Sequence, residues 1–539
     1  MEQTLASLDL RGRVAQLVFP WIIGGRTAPN TAEYRRIRAS IVEDGVGGII
    51  IGRGQAAEFA PMLNGLQELT KLPLLVISDL ETGPGQRMTG GTLVPPAMAI
   101  GAAGDRDLAY RAGQLTAVEA RAAGIHVTLG PVLDVNSNPL NPIINVRSFG
   151  EDPARVAEIA QAWIAGARAG GLLTIPKHFP GHGATETDSH IGLATVTASR
   201  EVLEKLDLVP FISAARTGVD GFLVGHITVP AVDGPNAPPA SLSPAIVTGI
   251  LRNQIGFDGL VFTDAMNMGA ITANWGVQEA SILALLAGVD ALLQPPGERS
   301  VINAVVAAVR SGRIPESRIE EAARRVLTAK AAAGLHKGAL VPVPSPRPSA
   351  EHAAVAARLA AASLTLVRDR DRLVPLPRGS TRVLHVAYSL DDSFRAPTFS
   401  STLERAGYQV TTETVSPNST AERFRALTSR AKAADLVVVS ANLVPREYRG
   451  PLALRDRYSS FVEGLIVDGV PMVAVSFGSP YLLDYFPSIS SYLIAWSTGV
   501  ESQRAAAQAL AGQIPITGHL PVSLPPYHTI GEGVTRNVR

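Results

Sequence analysis

Short, continuous apolar runs alternate with amphipathic helical stretches through roughly the first 330 residues. The runs that read as strands are "VAQLVF" (14–19), "GVGGIIIG" (45–52), "PLLVISD" (73–79) and "HVTLGPVLDV" (126–135). They continue with "LLTIPKH" (172–178), "GFLVGH" (221–226), "GLVFTD" (259–264) and "ALLQP" (291–295). Stretches such as "RDLAYRAGQLTAVEARAAG" and "PARVAEIAQAWIAGARAGG" carry helical periodicity between them. Asp152 before Pro153, and Ser243 before Pro244, pair an N-cap residue with proline at the first helical position, so each marks a helix start. Strands that are apolar throughout, not alternately, must be buried on both faces, which implies parallel pairing. Eight such strands with helical crossovers predict a (β/α)8 TIM-type barrel, with a doubly wound sheet as the competing arrangement.

The rhythm breaks at "HKGALVPVPSPRPSAEH" (336–352), a proline-rich stretch without apolar period that reads as an extended linker. Beyond it, "LTLVRD", "RVLHVAYS", "YQVTTETV", "DLVVVSAN", "PMVAVSFGS" and "SYLIAWST" form a second series of strands separated by helical segments. The expected organisation is a barrel over 1–335, a linker over 336–352 and a smaller α/β (αβα) sandwich over 353–539. Two domains also suit a chain of 539 residues, too long for one ordinary core.

Composition narrows the function classes. The chain carries 48 basic and 47 acidic residues, a net charge of +1, with no basic patch that stands out. Nucleic acid and anionic membrane are therefore not expected partners. The absence of cysteine excludes disulfides and thiolate chemistry. No uninterrupted apolar run approaches 18 residues, so no membrane span is expected. The N-terminus starts acidic and lacks both a basic n-region and an A-x-A site, which favours a cytoplasmic location over a signal peptide.

Chemistry in a barrel of this type is built at the C-terminal ends of the strands. Asp79 ends the third strand candidate, Lys177 and His178 the fifth, His226 the sixth and Asp264 the seventh, while Arg147 lies in the loop "NPIINVRSFGEDP" after the fourth. Charged residues ending buried strands are costly unless paired or used, and several converging on one barrel mouth point to a site. The sequence holds no GxxxxGK[ST], GxSxG or HExxH motif. His178 and His182 have the i,i+4 spacing of a helical metal site, but Pro180 and Gly181 between them forbid a regular helix. Recognition of sugar hydroxyls fits better, because charged side chains such as Asp79, Arg147, Lys177 and His178 can give and take paired hydrogen bonds.

"KHFPGHGATETDSH" (177–190), "NPIINVRSFGEDP" and "GFDGLVFTDAMNMGAI" together resemble glycoside hydrolase family 3, and most closely its bacterial β-N-acetylglucosaminidase branch. The resemblance runs well from Asp79 through Met268, and continues weakly into "AAAQALAGQIPITGHLPVSLP". It implies a retaining exo-glycosidase that releases terminal β-linked N-acetylglucosamine from muropeptide or chitin-type oligosaccharides. Asp264 is then implied as the nucleophile, His190 as acid/base paired with Asp188, and Asp79, Arg147, Lys177 and His178 as the residues that hold the non-reducing sugar. His182 is expected to shape the loop with its ring bonded to backbone, Glu186 to be solvated, and His226 to line the pocket or to be a satisfied strand-end histidine. No cofactor or metal is implied, the partner is a small oligosaccharide, and the chain is expected as a monomer or weak homo-oligomer. β-Glucosidase, β-xylosidase and phosphorylase activities of the same family, and a non-catalytic sugar-binding protein, remain the alternatives. One stretch departs from the family pattern E-G-G-x-V-Q-R: this chain reads "DLETGPGQRM", with Thr82 and Pro84 in the loop after Asp79.

Overall fold

The computed structural model describes every residue except 25–29, 344–347, 379–380, 391–393, 446–447, 449–453 and 455, so the middle of the proline-rich linker lies outside the described residues. The chain divides into two compact units: 1–93, 109–138 and 156–352 form the first, and 94–108, 139–155 and 353–539 the second.

In the first unit eight parallel strand positions close on themselves. β1 is two short pieces, Val18–Phe19 and Trp21–Ile22; β2 is Gly48–Ile51, β3 Leu75–Ser78, β4 Val127–Thr128 and β5 Leu173–Thr174. β6 is Gly221–Val224, β7 Leu260–Thr263 and β8 Leu292–Leu293. Ladders run from β1 through β5 in order and between β6 and β7. A parallel bridge from Phe179 to Val224 joins the fifth strand's extension to β6, and one from Phe262 to Ala291 joins β7 to the start of β8. Pairing of Val18 with Leu292 closes the ring. β2, β3, β6 and β7 are buried along their whole length, as strands enclosed on both faces must be. Phe19, Phe179, Phe222 and Phe262 are among the largest fully buried side chains.

Two strand expectations need correction. "VAQLVF" is not strand throughout, because Leu10–Ala15 is helical and only Val18–Phe19 pairs. The helix is set by Asp9, whose carboxylate accepts from the Gly12 N–H at 2.7 Å. In "HVTLGPVLDV" the ladder covers only Val127–Thr128, and the chain continues to a single bridge between Val132 and Lys177. The helix starting at Pro153 is capped as its sequence implies, with Asp152 accepting from the N–H groups of Ala154 and Arg155 at 2.9 Å.

The second unit is built on a six-stranded sheet. Its strands are β9 Thr365–Asp369, β10 Arg382–Ser389, β11 Gln409–Val415, β12 Leu436–Asn442, β13 Met472–Ser476 and β14 Ser491–Ile494. Their spatial order is β9-β14-β13-β12-β10-β11, all pairs parallel except β9 with β14. Alternate residues feed opposite faces. Leu384, Val386, Tyr388, Val437 and Val439 enter one apolar layer, and Val383, Leu436, Val438, Val473 and Val475 the other. Helices cover both, giving the αβα sandwich. The first layer also takes in Met98, Ala99, Ala102 and Val146, from segments that precede the linker by some two hundred residues.

Candidate active site

The C-terminal ends of the barrel strands carry a connected set of polar side chains. Lys177 leaves the fifth strand and is clamped by two carboxylates: its Nζ lies 2.8 Å from Asp79 Oδ1 and 2.7 Å from Glu81 Oε1. Asp79 Oδ2 also accepts from Arg87 Nη2 at 2.7 Å. Burial alone would raise the Asp79 pKa, but the charges of Lys177 and Arg87 prevail and hold it down at about 2. Asp79 is therefore an acceptor at any working pH. Glu81 and Arg87 flank the departing "ETGPGQ" loop, in which Thr82 N donates to Gln86 Oε1 at 3.0 Å and Pro84–Gln86 make a turn of 3-10 helix. The substituted loop still delivers both charges to Lys177 and Asp79.

His178 is fixed by a residue that the sequence reading passed over. Asp134, fully buried at the end of the fourth strand region, takes His178 Nδ1 at 2.6 Å on one oxygen. Its other oxygen accepts the backbone N–H groups of His178 at 3.3 Å and His182 at 2.7 Å. Burial opposes its charge, yet His178 and His182 keep its pKa below the usual carboxylate range. The Asp134 contact makes Nδ1 of His178 the donor and directs its exchange chemistry to Nε2. The rule that found Asp79 also reaches Asp134, but "VLDV" reads as strand interior because an apolar residue follows it.

His182 is buried as expected of a scaffold residue, but its ring contacts differ from expectation. Nδ1 pairs with Thr185 Oγ1 at 2.6 Å and Nε2 with Ser189 Oγ at 3.0 Å, so hydroxyls take the place of backbone. These bonds fold the glycine-rich stretch back upon itself and present "DSH". There Asp188 Oδ1 accepts both the His190 backbone N–H at 2.9 Å and His190 Nδ1 at 2.7 Å. A turn, in which Ile191 N donates to Asp188 O at 2.9 Å, lets the two side chains meet. The Asp188 carboxylate is almost entirely enclosed, whereas the imidazole retains 17% of its exposure. Glu186 is exposed.

Asp264 follows the last residue of β7, with its Oδ1 accepting the Ala265 N–H at 2.8 Å. Burial would raise its pKa; His178 most strongly, then His226 and His190, outweigh that and lower it. His226 Nε2 donates to Ala265 O at 3.1 Å and its Nδ1 accepts from Ser241 at 2.7 Å, and burial lowers its pKa. It is a satisfied histidine that fixes the peptide next to Asp264. The "DSH" loop is tied to the same region, since Gly269 N donates to His190 O at 3.2 Å. Asp79, Lys177, His178, Asp188, His190 and Asp264 thus belong to one unit. Arg147 is described with the second unit, on the turn Asn145–Arg147, where its Nη1 donates to Ile143 O at 2.8 Å. Among the described residues no group of three or more His, Asp or Glu could hold a metal ion, and no helix is long and apolar enough to cross a membrane.

Comparison with known proteins gives the family. Residues 9–329 match the glycosyl hydrolase family 3 N-terminal domain, and residues 364–534 the corresponding C-terminal domain. The chain belongs to glycoside hydrolase family 3. A β-N-acetylglucosaminidase/β-glucosidase of Cellulomonas fimi is 31% identical to it over 503 residues, 88% of each chain. Among solved structures, a family 3 β-N-acetylglucosaminidase from a Paenibacillus species aligns with a TM-score of 0.85 at 32% identity, covering 96% of this chain and 99% of the other. A β-glucoside phosphorylase aligns with a TM-score of 0.88 at 27% identity, covering 96% and 95%. The family 3 architecture, TIM-type barrel and α/β sandwich, is the one described above, and the chain is a glycoside hydrolase.

Proposed function

We propose that this family 3 enzyme is a retaining exo-β-N-acetylglucosaminidase acting on muropeptide or chitin-type oligosaccharides, a role in peptidoglycan recycling or chitin turnover. The observation that carries the reading is the Asp188–His190 pair at 2.7 Å, on a loop hydrogen-bonded to the segment that follows Asp264. Asp264 Oδ2 attacks the anomeric carbon and the glycosidic C–O bond breaks, while His190 Nε2–H protonates the departing oxygen. A glycosyl ester on Asp264 results, and neutral Nε2 then takes a proton from the water that hydrolyses it. Asp188 holds the tautomer and favours the imidazolium that the first step consumes. Asp79 accepts from sugar hydroxyls as an ionised carboxylate, with Lys177 and His178 beside it. Similarity to relatives named as β-N-acetylglucosaminidases supports the choice of sugar.

A second reading, glucoside cleavage by water or phosphate, is favoured by the β-glucosidase half of one relative's name and by the phosphorylase neighbour. Initial rates on aryl β-N-acetylglucosaminide and aryl β-glucoside, each with and without phosphate and a chelator, separate the two. Preference for the acetamido sugar in water is expected. A faster glucoside reaction, or sugar 1-phosphate as main product, selects the second reading, and loss of activity with chelator overturns both in favour of a metallohydrolase.

A further inference from the structure

One buried carboxyl beneath the sugar-binding loop has no part in the chemistry above. Asp207 ends the wide helical turn Leu203–Asp207, is wholly inaccessible, and neither of its oxygens has a hydrogen-bond partner. It packs against Gly181, in the middle of the loop from His178 to His182; a Cβ added there would lie 2.7 Å from Asp207 Cβ and 3.0 Å from its Oδ1. Among the described residues, Asp134 is the charge that acts on it. The fourth strand region brings Asp134, and the loop brings His178 and His182, both bonded to Asp134. On its own turn Glu204 and Lys205 engage Arg200 and Glu201 at the surface, and the following helix, Leu208–Arg216, ends in exposed Arg216.

We propose that Asp207 is a positioning residue for the site: as the neutral acid it packs under Gly181 and leaves the Asp134 bonds to His178 and His182 intact, and its ionisation disrupts them. Burial and a neighbouring negative charge both disfavour ionisation of a second carboxyl. Asp134 already holds the donors, so Asp207 keeps its proton, with a pKa raised to about 7 by burial and by the charge of Asp134. Once ionised it is an unpaired buried charge. Packed against Gly181, that charge forces the loop between His178 and His182 to shift, which loosens the Asp134 bonds that hold it and turns His178 away from the sugar and from Asp264.

The inference rests on the site reading above for the roles of His178 and Asp264, and the test keeps the two apart. Asp207→Asn keeps the shape of the side chain and cannot ionise. The pH profile of kcat/KM is measured for both proteins on whichever aryl glycoside the wild type hydrolyses. Loss of the His190 proton limits both proteins alike; the wild type should fall in addition with the ionisation of Asp207, so its kcat/KM relative to that of the variant should drop as pH rises through about 7. Thermal unfolding against pH is the second measurement. The Asp207 pKa is raised on folding from 3.8 to about 7, so the wild type loses stability relative to the variant as pH rises through that window. A stability difference without that drop in relative kcat/KM would overturn the positioning role and leave Asp207 a merely buried acid. Coincident profiles in both measurements would overturn the proposal altogether. If the wild type hydrolyses neither glycoside, the choice of sugar is wrong. The Asp207 test then runs on the His182 backbone N–H, bonded to Asp134, whose NMR shift should show a step at about pH 7 in the wild type that the variant lacks.

Discussion

At the scale of single residues, the three histidines of "KHFPGHGATETDSH" are separated by their partners. His178 and His190 each have Nδ1 on a buried aspartate, at 2.6 and 2.7 Å, whereas both ring nitrogens of His182 face hydroxyls. An acid/base role for His190 makes a graded prediction. His190→Ala should lower kcat/KM by about a hundredfold or more on an alkyl glycoside, whose leaving group needs the proton, and far less on an activated aryl glycoside. Equal losses on both would contradict the role. Asp79 and Asp264 were legible in the sequence because each ends an apolar run, where an unused charge is expensive. Asp134 obeys the same rule, but Val135 after it hid the strand's end. Asp207 was not legible at all: "EKLDLVP" reads as the polar face of a helix, and only packing against Gly181, twenty-six residues earlier, buries it.

At the scale of elements, the loop that joins the two halves of the signature is shaped by close backbone approach. A Cβ on Gly183 would fall 1.7 Å from the Val135 carbonyl oxygen, at the strand region that carries Asp134. Gly183→Ala must therefore move backbone, at a cost of about 1–3 kcal/mol by comparison with overpacked cores. The shift falls between His182 and the Asp188–His190 pair. We expect kcat/KM to drop by about tenfold or more, with a lower melting temperature. Gly65→Ala, in the exposed face of the helix Ala56–Gln67 with nothing within 4 Å, should instead be neutral or slightly stabilising. A Gly183→Ala variant as active and as stable as Gly65→Ala would mean that the loop tolerates movement and that its glycine is not chosen for contact. Element types were easier to read than their limits. β10 begins and ends where "RVLHVAYS" does, since its neighbours bury it on both faces. The first run failed because six apolar-rich residues fit a helix turn as well as a strand, and the cap at Asp9 decides for helix.

At the scale of the whole chain, the proline-rich linker is a local signal: the packing divides at its end, between 352 and 353, but also at places it does not mark. The expectation of an independent unit over 1–335 overlooks two segments, 94–108 and 139–155, that belong to the sandwich unit. Met98, Ala99, Ala102 and Val146 lie in its core beside Tyr388, Tyr458 and Trp496. Polar ties are as specific: Glu151 N donates to Pro521 O at 3.0 Å, its carboxylate accepts from Ser523 N at 2.8 Å, and His519 N donates to Ala102 O at 3.1 Å. No composition shift announces such pairing, because its partners are hundreds of residues apart. A fragment ending at residue 352 consequently keeps the eight strands but strips those two segments of their cover. Expressed alone, it should bind a hydrophobic dye and aggregate, since exposed contiguous apolar surface drives association. Co-expression with 353–539 should restore solubility and activity together. A soluble, monomeric 1–352 fragment with a cooperative melt equal to that of the full chain would show instead that the two segments refold onto the barrel, and that the linker is the true boundary.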